Sequence, residues 1–455
     1  VLLSACGSSS TPPPDPPPPD PPPTSTDPVH VNQVGFHTDG SKLALITDLD
    51  ATVGELINGS DNVVFSGNLP SAVYWDAADH SARVFDFSSF TTPGTYRVRS
   101  NTGSVSPEFT IGDTVIEDLG RFTLKSFYYT RSGTELTAQY AGQWQRAAGH
   151  PDTSVLIHAS AVGPVRMEGM SISSPSGWYD AGDYNKYIVN ASFATYMMLA
   201  PYDACPTCFA DNDIEIPESG NGQPDLLDEA RFNLDWMLTM QDPDDGGVYH
   251  KLTRLNFSGF VMPADDTADR YVVQKSTEAA LDFAAVTAFA ARVYAATDPG
   301  YSSTLATAAR NAWDWALLNP QTNYVQPADV STGRYAISGD DLVDEWDWAR
   351  VELFLLTGDG GFVAGWSANN AGGGVPWWGY VTPMAWLSVV RDATADPDLR
   401  IAAENHILAA ADNLVATADN GYRVSMDGND FNWGSNGNMA TRVVLLAHAY
   451  ALTGN

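Results

Sequence analysis

The sequence predicts a multidomain chain in which a small all-β sandwich precedes an all-α ring of helical hairpins. Three observations carry this. Short β-rich runs broken by turn residues fill the stretch from Val29 to about Gly112, and after Asp113 the apolar residues recur at helical spacing. Before both lies a proline-rich stretch, TPPPDPPPPDPPPTSTDP, that has no means of burying a core. The predicted divisions are therefore 1–28, 29–112 and 113–455.

The opening residues VLLSACGSSS place Cys6 after Leu3-Ser4-Ala5 and before Gly7, the pattern of a bacterial lipobox whose cysteine is lipidated after signal cleavage. The apolar run before Cys6 is too short for a whole signal peptide, so the true start is expected upstream; the lipobox pattern itself predicts an exported chain, anchored through Cys6 or released outside the cell. The proline-rich spacer would then stand off from the membrane as extended polyproline II. No apolar stretch of about 20 residues occurs, so no bilayer-spanning helix is predicted.

The sandwich strands are read from VHVNQVG, KLALITD, ATVGELI, NVVFSG, ARVFDF, GTYRVRS and EFTIG. Seven strands in under a hundred residues suit two packed sheets, and no constellation of catalytic side chains lies among them. The helices follow in VIEDLGRFTLKSFYYTRSG, NASFATYMMLAPYD, PDLLDEARFNLDWMLTMQ, STEAALDFAAVTAFAARVYAATDP, STLATAARNAWDWALLNP, DEWDWARVELFLLTGD, RIAAENHILAAADNLVATA and NGNMATRVVLLAHAYALTG. In the third, Pro224 suits the first helical position, Asp225, Asp228 and Glu229 favour the positive end of the dipole, and Leu227, Ala230, Leu234 and Met237 or Leu238 share a face. The fourth is apolar nearly all round and alanine-rich, as in a helix packed closely on several sides. Cys205 and Cys208 stand as CPTC; in an exported protein a local disulfide or two buried thiols fits better than zinc or redox chemistry.

Asp and Glu number 55 against 23 Lys and Arg, a formal charge of −32 that repels phosphate backbones and argues against nucleic acid as a partner. A neutral partner is the natural one for such a surface, and 13 Trp with 19 Tyr offer flat rings of the kind that stack on sugars.

Chemistry concentrates in GWYDAGDYNKY, residues 177–187, where two carboxylates flank a glycine among aromatic rings. Glycoside hydrolysis needs an acid to protonate the leaving oxygen and a carboxylate to activate water or attack the anomeric carbon. Asp180 and Asp183 are too close in sequence to form that opposed pair. They suit a shared task instead, with Asp183 taking a proton from one water and Asp180 fixing its position. Trp178, Tyr179, Tyr184 and Tyr187 supply apolar walls and stacking faces.

GWYDAGDYNKYIVN resembles the signature of glycoside hydrolase family 9, the inverting cellulases. The likeness continues through IPESGNGQPDLLDEARFNLDWMLTMQ, GGVYHKLT, STEAALDFAAVTAFAARVY, DEWDWARVELFLLTGD and NWGSNGN, while VNQVGF resembles the start of the immunoglobulin-like N-terminal domain of many members. The resemblance implies an (α/α)6 barrel and inverting hydrolysis of β-1,4-glucan or cello-oligosaccharides. Asp183 takes the place of the general base and Asp180 that of the aspartate holding the water. Trp178 and Tyr179 fall in the signature itself, and His250, Trp348 and Trp433 match positions near the family's substrate cleft. Trp377 and Trp378 in GGGVPWWGY belong to that cleft or close a helix end.

The resemblance also implies a catalytic acid, a glutamate in a segment beyond Asn455; on this reading the barrel is truncated at its C-terminus and the chain alone is poorly stable and nearly inactive. Glu218, Glu229 and Glu345 are expected to have other duties. No cofactor is required for the chemistry. Some relatives bind zinc near the region that here reads AAGHPDTSVLIH; His150, Asp152 and His158 remain, but no cysteine is near them, so zinc is not expected. Calcium is a candidate at acidic loops such as DPDDGG. Two alternatives accompany the endoglucanase reading: an exo-acting cellodextrinase or glucosaminidase, decided by whether the 204–213 loop blocks the cleft, and a carbohydrate-binding surface lipoprotein without turnover.

Overall fold

The computed structural model describes residues 27–337 and 342–454, so Cys6 lies outside the described residues. The chain divides into two compact units, with the boundary between Val115 and Ile116.

The first unit is built from eight strands: β1 (Val29–His30), β2 (Leu43–Ile46), β3 (Val53–Asn58), β4 (Val63–Asn68), β5 (Val73–Trp75), β6 (His80–Asp86), β7 (Gly94–Ser100) and β8 (Phe109–Ile111). They form two antiparallel sheets, ordered β1-β2-β6-β5 and β4-β3-β7-β8. Alternation selects the faces: Ala44 and Phe85 are paired across β2 and β6, as are Leu56 and Val98 across β3 and β7, and all four are buried. Phe36, Phe85, Phe87 and Phe109 fill the space between with ring centroids 5.2 to 5.7 Å apart. Gly54 permits this fit, because a Cβ there would lie 2.5 Å from the Phe85 ring.

The second unit contains α1 (Glu117–Thr130), α2 (Ala138–Ala141), α3 (Ile188–Ala204), α4 (Asp225–Thr239), α5 (Thr277–Tyr294), α6 (Pro299–Leu318), α7 (Val343–Thr357), α8 (Thr382–Arg391), α9 (Pro397–Thr417) and α10 (Ser435–Thr453). α5 is buried along its whole length except at Arg292, and its alanines let α3, α6 and α7 approach it. Helices α3, α5, α7 and α8 make a closed circuit, each touching the next and α8 returning to α3. Arg391 seals the return with bonds to Asp203 (2.8 Å) and the Tyr196 hydroxyl (3.1 Å) of α3. Against this circuit, α4 packs on α3, α6 on α5 and α9 on α8, and α10 packs on α9.

Two expectations are corrected, and a choice between two readings is settled. The second unit is not purely helical: β9 (Val155–Ile157), β10 (Ser171–Ile172), β11 (Lys186–Tyr187), β12 (Lys251–Thr253) and β13 (Tyr271–Val272) form a sheet ordered β10-β9-β13-β12-β11. Strands of two or three residues carry no detectable period. Pro224 is the cap residue of α4 and not its first helical one. Asp225 serves the preceding loop, accepting from the Asn212 and Ile214 amides at 3.1 and 2.9 Å. Cys205 and Cys208 form a disulfide just beyond α3, which decides between the two thiol readings. No helix among the described residues is long and apolar enough to cross a membrane.

Candidate active site

The aspartate segment runs between an isolated bridge at Arg131 and Trp178 and the start of β11, which leads directly into α3. Gly177 begins it with φ +81° and packs its Cα on Trp236 of α4; a Cβ would lie 2.7 Å from that ring, so only glycine fits. The Asp180 amide donates to the Asn185 carbonyl (3.1 Å) and closes the loop that exposes Ala181 and Gly182.

Beneath it lies an unusual density of buried charge. Arg131 is enclosed, gripping Glu218 with both terminal nitrogens (2.9 and 3.0 Å) and Glu229 at 3.0 Å, while Glu229 also accepts from the Trp178 indole (2.8 Å). Lys186 and Arg270 share Asp152, each at 2.8 Å, and Arg270 donates to the Tyr184 carbonyl. Glu218 and Glu229 therefore hold the loop's foundation.

The two aspartates have different surroundings. Asp180 has both carboxylate oxygens occupied: Oδ1 accepts from the Asn190 amide and Oδ2 from the Tyr335 hydroxyl at 2.7 Å. Burial pushes its pKa up to about 6; the Tyr335 and Asn190 bonds oppose the rise and the Asp183 charge adds to it. Asp183 Oδ2 accepts from the Asn185 amide and from the Tyr187 hydroxyl (2.9 Å). Among the described residues no donor reaches its Oδ1, and the side chain is only partly buried. One carboxylate is thus fully engaged and its neighbour keeps an acceptor open.

Aromatic residues wall the pair. Tyr335 meets Tyr187 at 4.7 Å and Trp378 at 5.0 Å, and Trp377, 45% exposed, stands edge-on to Trp378. Trp178, Tyr179, Asp180 and Tyr187 line a cavity of about 140 Å³ with Phe127 and Asn190. Of the residues expected to contact substrate, Trp178 and Tyr179 are thus beside the pair, although both are largely buried.

His250 and Trp348 are enclosed. His250 is fully buried, stacked on Tyr324 at 3.8 Å, with one ring nitrogen on Ser276 (2.9 Å) and the other on the Arg334 carbonyl (2.7 Å), and burial lowers its pKa to about 3. Neither nitrogen is free for a sugar hydroxyl. Trp348 is equally buried, its indole on Glu352 within the α5, α7, α8 core. Trp433 is 93% exposed. Tyr335, Asn190 and Lys251 escaped the sequence reading, and Trp377 and Trp378 acquire a place through Tyr335.

The candidate metal ligands are otherwise engaged. His150 bonds Tyr179 and faces Asp266 at 3.1 Å, Asp152 holds two cations, and His158 bonds Ser160 and Asp329, so the three do not converge and do not fit zinc. In DPDDGG, Lys275 approaches Asp242 at 2.6 Å and Asp245 at 2.8 Å, an internal cation where calcium was a candidate. No group of three or more His, Cys, Asp or Glu among the described residues is arranged to hold a metal. Glu345 is fully buried and its pKa is raised by burial and by Asp282 beside it, which removes it from the surface chemistry.

Comparison with known proteins places this chain in a family. Residues 117–455 match Glycosyl hydrolase family 9, and residues 24–104 match the cellulase N-terminal ig-like domain. The chain is 40% identical to a xyloglucan-specific endo-beta-1,4-glucanase of Bacteroides ovatus, over 94% of this chain and 76% of that protein. It is 33% identical to Endoglucanase C of Cellulomonas fimi, over 98% of this chain and 43% of that longer protein. A solved structure described as Bacteroides ovatus GH9 superposes with a TM-score of 0.88 at 38% identity, covering 94% of this chain and 81% of that one.

Proposed function

This chain belongs to glycosyl hydrolase family 9 and hydrolyses β-1,4-glucans, and on that premise we propose that Asp183 is the general base of a single-displacement, inverting reaction with Asp180 as the holder of its water. The observation that carries the assignment is the asymmetry of the pair: both Asp180 oxygens accept protein donors, whereas Asp183 Oδ1 accepts none among the described residues. A base needs an acceptor open toward its proton, and a positioning carboxylate needs a fixed orientation. Asn185 and Tyr187 hold Asp183 from one side only, so the other oxygen is available to water at the anomeric carbon.

An acid on the opposite side of the scissile bond completes an inverting displacement, and Arg131 excludes Glu218 and Glu229 from that part. The closed circuit of α3, α5, α7 and α8 with outer helices upon it supports an (α/α)6 barrel for 113–455, following an immunoglobulin-like domain at 29–112 and a spacer at 1–28. Within the β-1,4-glucans, likeness to a xyloglucan-specific relative favours xyloglucan as substrate. The lipobox-like LSACG supports export with anchorage through Cys6.

Asp183→Asn in the full-length protein is expected to lower kcat by roughly 10²- to 10⁴-fold with unfolding unchanged. Proton NMR of the first product should show the α-anomer. Wild-type turnover in Asp183→Asn, or initial release of the β-anomer, overturns the assignment.

A further inference from the structure

We propose that Lys251 is a positioning residue of this hydrolytic site, tying the 326–335 segment to the strand pair that carries Tyr187 and so holding Tyr335 on Asp180 and Tyr187 on Asp183. The inference rests on the reading of the aspartate pair given above.

Lys251 lies on β12 directly opposite Tyr187 of β11 and has no solvent exposure. Its ammonium donates to Gln326 Oε1 (3.0 Å), Thr332 Oγ1 (3.1 Å) and the Gly333 carbonyl (2.5 Å), all on one segment. An ammonium has three donors, and these three acceptors use them all. The rings of Tyr187 and Tyr324 each lie 5.5 Å from Nζ. The segment so held returns two contacts to the site. The Gly333 amide donates to the Tyr187 hydroxyl (3.1 Å), which itself donates to Asp183 Oδ2 (2.9 Å). Two residues on, Tyr335 sits at φ +46°, a conformation that non-glycine residues keep only where their surroundings impose it, and its hydroxyl reaches Asp180. Between them the Arg334 carbonyl accepts from His250, giving the fully buried imidazole the same employment as Lys251.

The three acceptors of the Lys251 ammonium are all neutral. The charges it faces are the Asp183 carboxylate, which favours the ammonium, and the Arg334 guanidinium, which opposes it; burial lowers its pKa to about 7. A buried cation held by neutral acceptors is a costly way to fasten a loop. Its place beside Asp183 connects that cost to the site.

The test compares Lys251→Met, Tyr335→Phe and the double variant in the full-length protein on soluble β-1,4-glucan. Lys251→Met is expected to lower kcat roughly 10- to 100-fold with KM within about threefold of wild type. Tyr335→Phe should cost much less in the Lys251→Met background than in the wild type, since both remove one arrangement. Unchanged kcat, or full additivity of the two losses, overturns the proposal. If Lys251→Met does not fold, the same cycle is run with Thr332→Val, which deletes one acceptor and keeps the cation; additivity with Tyr335→Phe then overturns it. Asp183→Asn is assayed alongside: an active Asp183→Asn sinks the reading of the pair, whereas an inactive Asp183→Asn beside a fully active Lys251→Met sinks only the role of Lys251.

Discussion

The two units of this chain bury different things. Between the sheets of the first unit lie phenylalanines, and among its described residues Lys42 is the one charged side chain that is fully buried, its ammonium capping the Thr38 and Gly40 carbonyls at 2.7 Å. The second unit encloses Arg131 with Glu229, Asp152 with Lys186 and Arg270, and Lys251 beneath Asp183. Apolar packing alone suffices for a sandwich that carries no chemistry. Burying ions is expensive unless each finds its partners, and here the partners converge on one eleven-residue loop. Buried, paired charge around the 177–187 loop therefore marks where side chains must be held in register.

That contrast can be broken or sharpened by substitution. The largest effect is expected from Arg131→Met, which strands Glu218 and Glu229; denaturant unfolding of the second unit should show a loss of about 3–5 kcal/mol. Next comes Asp180→Asn. Because the folded carboxyl is raised to about 6, its ionisation opposes folding, and that opposition develops as pH rises from about 4 to 6 and persists above. Asp180→Asn should then lose turnover and yet gain about 1–2 kcal/mol of stability at pH 7, with little gain at pH 4. Equal gains at both pH values would remove the electrostatic account. The smallest effect is expected on the sandwich surface: Arg97→Ala breaks an exposed pair with Asp61 and should change stability by less than about 1 kcal/mol. A larger loss there would erase the distinction between the units.

Much of this was legible in the residues. The seven β-rich runs fall on strands of the first unit, and eight apolar helical runs fall on α1, α3 to α7, α9 and α10. α8 was overlooked because TPMAWLSVVR is short and carries Pro383 in its first turn. Asp180 and Asp183 were found because carboxylates and rings crowd one short stretch. His250 and Trp348 show the limit of that reasoning, since a motif tells which residues lie near a cleft and not which way a side chain points. Tyr335 lies 155 residues from Asp180, and the only local sign of its importance is a left-handed backbone that becomes visible in three dimensions.

Gly177 has a wider implication. With the Trp236 ring standing where its side chain would begin, the aspartate loop is indexed to a helix of the second layer. A change that rotates or slides that helix acts on the loop at Gly177, so the setting of Asp180 and Asp183 can drift over evolution while the spacing within DAGD stays unaltered.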